Sequence, residues 1–556
     1  MRKEAPHTPA RRTVLGAAAA VAGTAILTAC SGSAPGGGHG GHGGHGRDGA
    51  PGPEGYVDPA GPEVAAAEKK RARGGRVREV RLTAARTRLD LGGPTVRTWA
   101  YGDRLPGEEV RVTAGDTLAL TLANHLPQAT SLHWHGIALR NDMDGVPGLT
   151  QKDIAPGADF TYRFAVPDPG TYWFHPHSGT QQDRGLYAPL IVDDPKEPLR
   201  YDKEWVIVLD DWVDGVDGST PDGVLAELSK GMADHGGGGH DMGHSGGSGH
   251  DMSSMSLRTD RSPSPKHPSA SGDSRGPSRM MMGARSDLLG GDAGDVAYPH
   301  HLINGRTATA PSQFRARPGD RIRLRIINAG GDTAYRVALG GHEMTVTHTD
   351  GSPVRHAKTD ALLLGMGERY DVLVTAKDGV FPLTALAEGK KAAGLALLRT
   401  GGGAAPSASV RPEELTGRLL TADRLKAHES VALPARRPDR TIKLRLTGGM
   451  AAYDWAFDKK PYSPGQRHPV RAGERVRLTF ANATTMWHPV HLHGHTFTLA
   501  NVADGPRKDT AIVLPNGTLS VDFEADNPGL WMIHCHNVYH AEAGMMTVLG
   551  YRGQMH

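Results

Sequence analysis

Four short segments of this 556-residue chain each carry two histidines separated by a single residue: 131-SLHWHGIAL-139, 173-WFHPHSG-179, 488-HPVHLHGH-495 and 534-HCHNVYHAEAGMM-546. Side chains alternate between the two faces of a β-strand, so the histidines of a pair point one way and the residue between them points the other. Eight imidazoles are too many for one metal ion and suit a cluster. The chain must therefore bring together segments more than three hundred residues apart.

The last segment adds a second kind of site. Cys535 stands between His534 and His536, with His540 and Met545 at short offsets beyond it. A thiolate, two imidazoles and a weak thioether select copper used for electron transfer, and Cys535, His540 and Met545 supply three of those four donors. The second imidazole is expected from His488, whose parity is opposite to that of His491 and His493, although Pro489 makes the parity argument approximate. Neutral nitrogen donors also suit copper better than calcium or magnesium, which prefer oxygen. Structural zinc closes at four ligands, with Cys/His spacings not found here.

With these four motifs in this order, the chain resembles the multicopper oxidases over roughly residues 76–556. The resemblance implies an all-β protein of three consecutive cupredoxin-like Greek-key β-sandwich domains, holding four copper ions. It implies His488, Cys535, His540 and Met545 on a type 1 copper, His133 and His491 on a type 2 copper, and His135, His175, His177, His493, His534 and His536 on a type 3 pair. The implied reaction takes electrons singly from a reductant and reduces dioxygen to two waters. Asp144, eleven residues after His133, matches a proton-relaying carboxylate of similar oxidases. Taken alone, 141-NDMDGVPG-148 reads equally as a surface turn. Glu542 is a second candidate acid, because Ala541 stands where many bacterial relatives carry one. Methionine at 545 implies a softer, lower-potential type 1 copper and easily oxidised donors.

The remaining chain reads as short alternating strands broken by glycine and proline. The phrases 118-LALTLAN-124, 321-RIRLRIIN-328 and 475-RVRLTFAN-482 say nearly the same thing three times, which suggests a repeated sandwich. Domains are expected at 76–200, 201–405 and 410–556. The middle one carries 304-NGR-306, 341-GHEMTVTHTDG-351 and 368-ERYDVLV-374, similar to the copper-free central domain of the family, so His342 and His348 are expected to be structural.

At the start, Arg11 and Arg12 precede 14-VLGAAAAVAGTAIL-27 and a lipobox ending at Cys30, which reads as a twin-arginine lipoprotein signal over residues 1–30. The protein is then expected to be exported and lipid-anchored through Cys30, at the periplasmic or outer face of the cell membrane, with 31–75 as a flexible Gly/His-rich tether. The chain has two cysteines, so none would remain for a disulfide. A net charge of +3 with scattered arginines does not suggest nucleic acid, and a monomer is expected. A second low-complexity stretch, 232-MADHGGGGHDMGHSGGSGHDMSSMS-256, lies in an insertion at about 230–285. Thioethers favour Cu(I) and imidazoles take either copper state, so it reads as a copper-collecting loop or as a passive linker. Met486 reads equally as a Cu(I) contact or as packed core. Met/His-rich insertions are similar to those of copper-resistance oxidases, which implies Cu(I), with phenols or other metal ions, as electron donors in copper detoxification. The alternatives are a copper-sequestering surface lipoprotein and a general laccase acting mainly on phenols.

Overall fold

The structure, a computed structural model, describes residues 55–231 and 276–553. The twin-arginine segment, Cys30, the stretch 36–49 and residues 232–275 of the insertion lie outside the described residues.

The three similar phrases become the strands Thr117–His125, Arg321–Asn328 and Arg475–Asn482. Each lies parallel to the opening strand of its own sandwich, which is Val77–Asp90, Lys203–Trp212 or Arg440–Thr447. On its other side each pairs antiparallel with Asp159–Ala165, Arg369–Thr375 or Thr518–Glu524. The leucines of these phrases fill the cores; Leu118, Leu120, Leu122, Leu324 and Leu478 are all at most 1% exposed. Burying a leucine fully is worth about 1.5–3 kcal/mol, and truncating one to alanine costs about 2–5 kcal/mol. The chain thus adopts the expected all-β architecture of three sandwiches.

Each phrase ends in an asparagine that performs the same task. The side-chain amides of Asn124, Asn328 and Asn482 each donate to two backbone carbonyls, while their carbonyl oxygens accept from the amide two residues on. Every such asparagine closes the turn that follows it. In the first and third sandwiches that turn leads to His133 and His488, and in the second it leads to Tyr335.

Second sheets face these. In the first sandwich the order is Val110–Thr113, Ala188–Asp193, Gly170–His175, His133–His135. In the third it is His468–Val470, Met546–Tyr551, Leu530–Cys535, His488–Leu492, Thr510–Val513. All four histidine pairs therefore lie on or just beyond these two sheets.

Three expected boundaries are corrected. The tether over 31–75 ends early, because Val57 and Val64 are buried and Pro62–Arg71 is a helix. Glu68 accepts from the Ala165 amide, and Tyr56 bridges to Arg552, so apolar burial and hydrogen bonds fasten this segment to the body. The second sandwich runs past 405, since Leu419–Leu420 pairs with Ala361–Leu362 and Val354 bridges to Ala427. The insertion is shorter than 230–285: from Gly276 the chain is part of the body, and Met280 bridges to Val296. Met486 is 1% exposed and bridges to Asp292, which is packed core. His342 lies in a turn, its Nδ1 on the Gly340 carbonyl and its Nε2 accepting from the Lys377 amide, a structural role.

Candidate metal centre

Strand pairing sets the histidines in place. In the first sandwich His133 lies opposite His175 and His135 opposite Trp173. In the third, His491 lies opposite His534 and Val490 opposite Cys535. The residue between the histidines of three pairs turns inward, as alternation requires: Trp134, Leu492 and Cys535 are each at most 1% exposed. What remains for the histidines is the outer face of each sheet, and the two faces meet.

The meeting is close. The His133 ring stacks on His493 and the His135 ring on His491, each with 3.8 Å between centroids. Ligand atoms gather in three groups, each within 4.8 Å: His135, His175 and His536; His177, His493 and His534; and His133 and His491, with His135 shared. On the inward side of the strand Leu530–Cys535, Cys535 forms a separate group with His488 and His540. There the two Nδ1 atoms lie 3.1 Å apart, and Cys535 Sγ is 3.6 Å from His488 and 3.7 Å from His540. His540 belongs to the helix Val538–Ala543, whose first amides are capped by the Asn537 side chain. Met545 is fully buried, its amide donates to the His540 carbonyl, and its own carbonyl accepts from Cys535. One strand, Leu530–Cys535, thus serves both sites.

The donor set fits copper. His133, His175, His491 and His534 each have Nδ1 on a backbone carbonyl, at 2.9, 3.0, 2.9 and 2.9 Å, which leaves Nε2 with its lone pair free. Those Nε2 atoms, together with His493 Nε2, are buried without any partner in the protein. A buried polar nitrogen without a partner costs about 1–3 kcal/mol, so five in one space call for a metal. Burial first, and neighbouring imidazoles second, hold His135, His175, His488, His493, His534 and His536 well below the ordinary histidine value, and bring His177 down to about 3. They are neutral donors over the physiological range. Soft sulfur with imidazole in one group, imidazole alone in three, and a carboxylate only where Asp144 joins His133 and His493, is the chemistry of copper.

Carboxylates surround the cage. Asp144 is fully buried, which excludes the surface-turn reading. Its carbonyl accepts from His133 Nδ1 and its Oδ2 from His493 Nδ1, both at 2.9 Å. The neighbouring Gly145 has φ +82°, and a Cβ there would lie 1.9 Å from the Leu132 carbonyl, so only glycine lets Asp144 in so close. Glu542 is exposed at the rim of a recess of ≈ 30 Å³ lined by His175, His177, His534 and His536. The protein packed around it, and then the Asp222 carboxylate, push Glu542 up to about 7.

Sequence reasoning misses two acids here. Asp509 accepts from His135 Nε2 at 3.0 Å, and its carbonyl from His491 Nδ1 at 2.9 Å. Asp295 accepts from His540 Nε2 at 2.9 Å. Burial works against charge on His540, yet the bond to Asp295 and the nearness of Cys535 push it up to about 10 in the metal-free protein. Neither acid bears a fixed spacing to a histidine pair; each stands in an otherwise ordinary loop or strand end.

Comparison with known proteins agrees with the geometry. Residues 83–197, 282–403 and 435–554 each match a family described as multicopper oxidase. The chain is 49% identical to the multicopper oxidase MmcO of Mycobacterium tuberculosis, over 88% of this chain and 90% of that protein. It is 28% identical to a copper resistance protein A homolog of Pseudomonas syringae pv. tomato, over 84% of this chain and 91% of the relative. Among solved structures, Fet3p, a multicopper oxidase that functions in iron import, shares the fold with a TM-score of 0.66 at 21% identity, covering 85% of this chain and 90% of its own. Three matched domains spanning most of the described body, and a relative alike over nearly its whole length, place the chain in the multicopper oxidase family, as an oxidoreductase.

Proposed function

We propose that the protein holds four copper ions and couples oxidation of Cu(I), and of phenolic donors, to reduction of dioxygen to water in copper detoxification. On this reading His488, Cys535, His540 and Met545 hold the type 1 copper, and His133 and His491 the type 2 copper. His135, His175 and His536 hold one type 3 ion, and His177, His493 and His534 the other. Bound copper would supply one-electron chemistry at the cysteine site and four-electron reduction of dioxygen at the cluster. The carrying observation is the convergence of unpartnered imidazole nitrogens in one cage beside a Cys/His₂ group.

The chain's own residues do the rest. Cys535 is joined by backbone alone to His534 and His536, so the thiolate and two cage imidazoles lie on three consecutive residues at the end of one strand. Asp144 and Asp509 fix the tilt and tautomer of cage histidines. Glu542 holds a proton near neutrality at the rim of the recess. The Met/His-rich residues 232–275 collect Cu(I), and the lipid on Cys30 keeps the exported protein at the membrane.

Copper-loaded full-length protein tests this. Four coppers per chain, a blue absorption lost in C535S, and oxygen uptake with Cu(I) are expected. Deleting 232–275, which leaves the packed segment from Gly276 in place, should lower turnover of Cu(I) and spare that of phenols. Blue protein without oxygen uptake would mean copper storage, and unchanged Cu(I) kinetics in the deletion would leave a general laccase.

A further inference from the structure

Asp332 belongs to none of the histidine groups, and nothing in its local sequence, 330-GGDTAY-335, marks it. It lies in the middle sandwich and is fully buried. Its carboxylate nevertheless gathers four donors from three distant parts of the chain. Oδ1 accepts from Asn537 Nδ2 at 2.6 Å, and Oδ2 from Lys390 Nζ at 2.6 Å. The Asp295 amide donates to both oxygens, at 3.2 and 3.1 Å, and the Val296 amide donates to Oδ2 at 3.1 Å.

Two of those partners lead directly to His540. Asn537 caps the helix that carries His540, accepting from the His540 amide at 3.2 Å. The Asp295 side chain accepts from His540 Nε2 at 2.9 Å and from the Tyr453 hydroxyl at 3.2 Å. A closed ring results: His540 ring to Asp295, Asp295 amide to Asp332, Asp332 to Asn537, and Asn537 back to the His540 amide. It grips one imidazole by its backbone and by its ring together. The approach is tight by construction, because a Cβ on Gly294 would lie 2.5 Å from Asp332 Oδ2 and 2.6 Å from Lys390 Cε. Lys390 also donates to the Thr333 hydroxyl at 2.9 Å and to the Val296 carbonyl at 3.3 Å, so the cation that neutralises Asp332 holds the same segment.

We propose that Asp332 is a positioning residue for the type 1 site: it sets Asp295 against His540, and so the orientation of the imidazole on which electron acceptance there depends. This rests on the reading of His488, Cys535 and His540 as that site. Charge-assisted bonds to backbone amides are about twice as strong as neutral ones, and in a dry interior they fix a loop that apolar packing alone would leave with several arrangements. The loop held this way, at Asp295 and Val296, lies downstream of Gly276, where the described chain resumes after the Met/His-rich insertion. The middle sandwich therefore reaches the type 1 site although none of its described residues belongs to the His488, Cys535 and His540 group.

The test is a double-mutant cycle on copper-loaded full-length protein, with 2,6-dimethoxyphenol as donor, comparing wild type, D332N, D295N and D332N/D295N. D332N should raise KM about tenfold and change the type 1 EPR hyperfine splitting, whereas in the D295N background both effects should be clearly smaller, because the Asp295–His540 bond is already altered and only the Asn537 arm of the ring remains to be disturbed. Should D332N fold poorly with Lys390 left uncompensated, D332N/K390Q replaces it, with the same expectation. Additive effects, or a KM and splitting unchanged by D332N, overturn the proposal. A wild-type protein without any type 1 signal would instead overturn the site reading beneath it.

Discussion

Arg369 of the middle sandwich clasps Asp509 of the third in a two-pronged ion pair of 2.7 and 2.6 Å, with both side chains fully buried. Burial alone would raise the Asp509 carboxyl; Arg369, and then His135, hold it well below the usual carboxylate range. Asp509 in turn touches His135 and His491, so a domain none of whose described histidines belongs to the cage still sets the tilt of two imidazoles. The neighbouring Lys508, Asp350 and Glu368, all at most 2% exposed on their side chains, complete the contact between the two sandwiches.

Removing one partner of a buried pair leaves the other charge uncompensated. R369M should therefore destabilise the protein by about 3–5 kcal/mol in urea unfolding. R369K, which keeps the charge and loses the fork, should fall between R369M and wild type and show a weakened type 2 copper signal by EPR. Full stability in R369M would show that the pair contributes nothing net.

Gly367 has φ +85°, and a Cβ there would come within 2.9 Å of both His135 and His536. G367A thus carries backbone strain of about 1–2 kcal/mol and presses on two rings of one histidine group. Copper per chain, measured by elemental analysis, should fall, with oxygen uptake reduced at least about tenfold. Normal copper content in G367A would mean that the cage yields more easily than its packing suggests.

Asp144 supports His133 through its backbone carbonyl and His493 through its carboxylate. D144A should consequently disturb His493 more than His133, which loses the Oδ1 contact at 3.2 Å but keeps its bond to the backbone carbonyl. Such supporting bonds are worth about 10–100-fold in metal affinity, so copper titration should find one type 3 position weakened while type 2 binding persists. Equal loss at both positions would contradict this division of labour.

For Glu542 the sign follows from the direction of its shift. The ordinary value of 4.5 is raised to about 7, so the carboxyl keeps its proton through mildly acidic pH and loses it as pH rises through about 7. The stability it contributes as a neutral acid is complete below 4.5 and disappears over the same rise. If Glu542 gives protons to the recess, oxygen consumption should decline above pH about 7 in the wild type. E542Q should lower the rate at acidic pH and abolish that decline; an unchanged profile would remove Glu542 from proton delivery.

Much of the site is legible without a structure, and the reason is local geometry. Strand alternation separates Cys535 from His534 and His536, and the parity of His488 survives Pro489 because that proline's carbonyl still accepts from the His536 amide. The threefold phrase ending in Asn124, Asn328 and Asn482 likewise carries its own turn with it. Asp144 is reachable only because its distance from His133 matches similar oxidases, since its neighbours alone spell a surface turn.

Donor types, strand parity and the threefold repeat are determined by the sequence itself, because each depends on residues a few positions apart under fixed backbone periodicity. Which imidazoles form a group, and which carboxylates hold them, only the tertiary structure decides. His133 stacks on His493, Arg369 reaches Asp509, and Asp332 reaches both Asp295 and Asn537. Those contacts exist because three sandwiches bury charged and polar groups against one another, and no short-range pattern records which surfaces will meet.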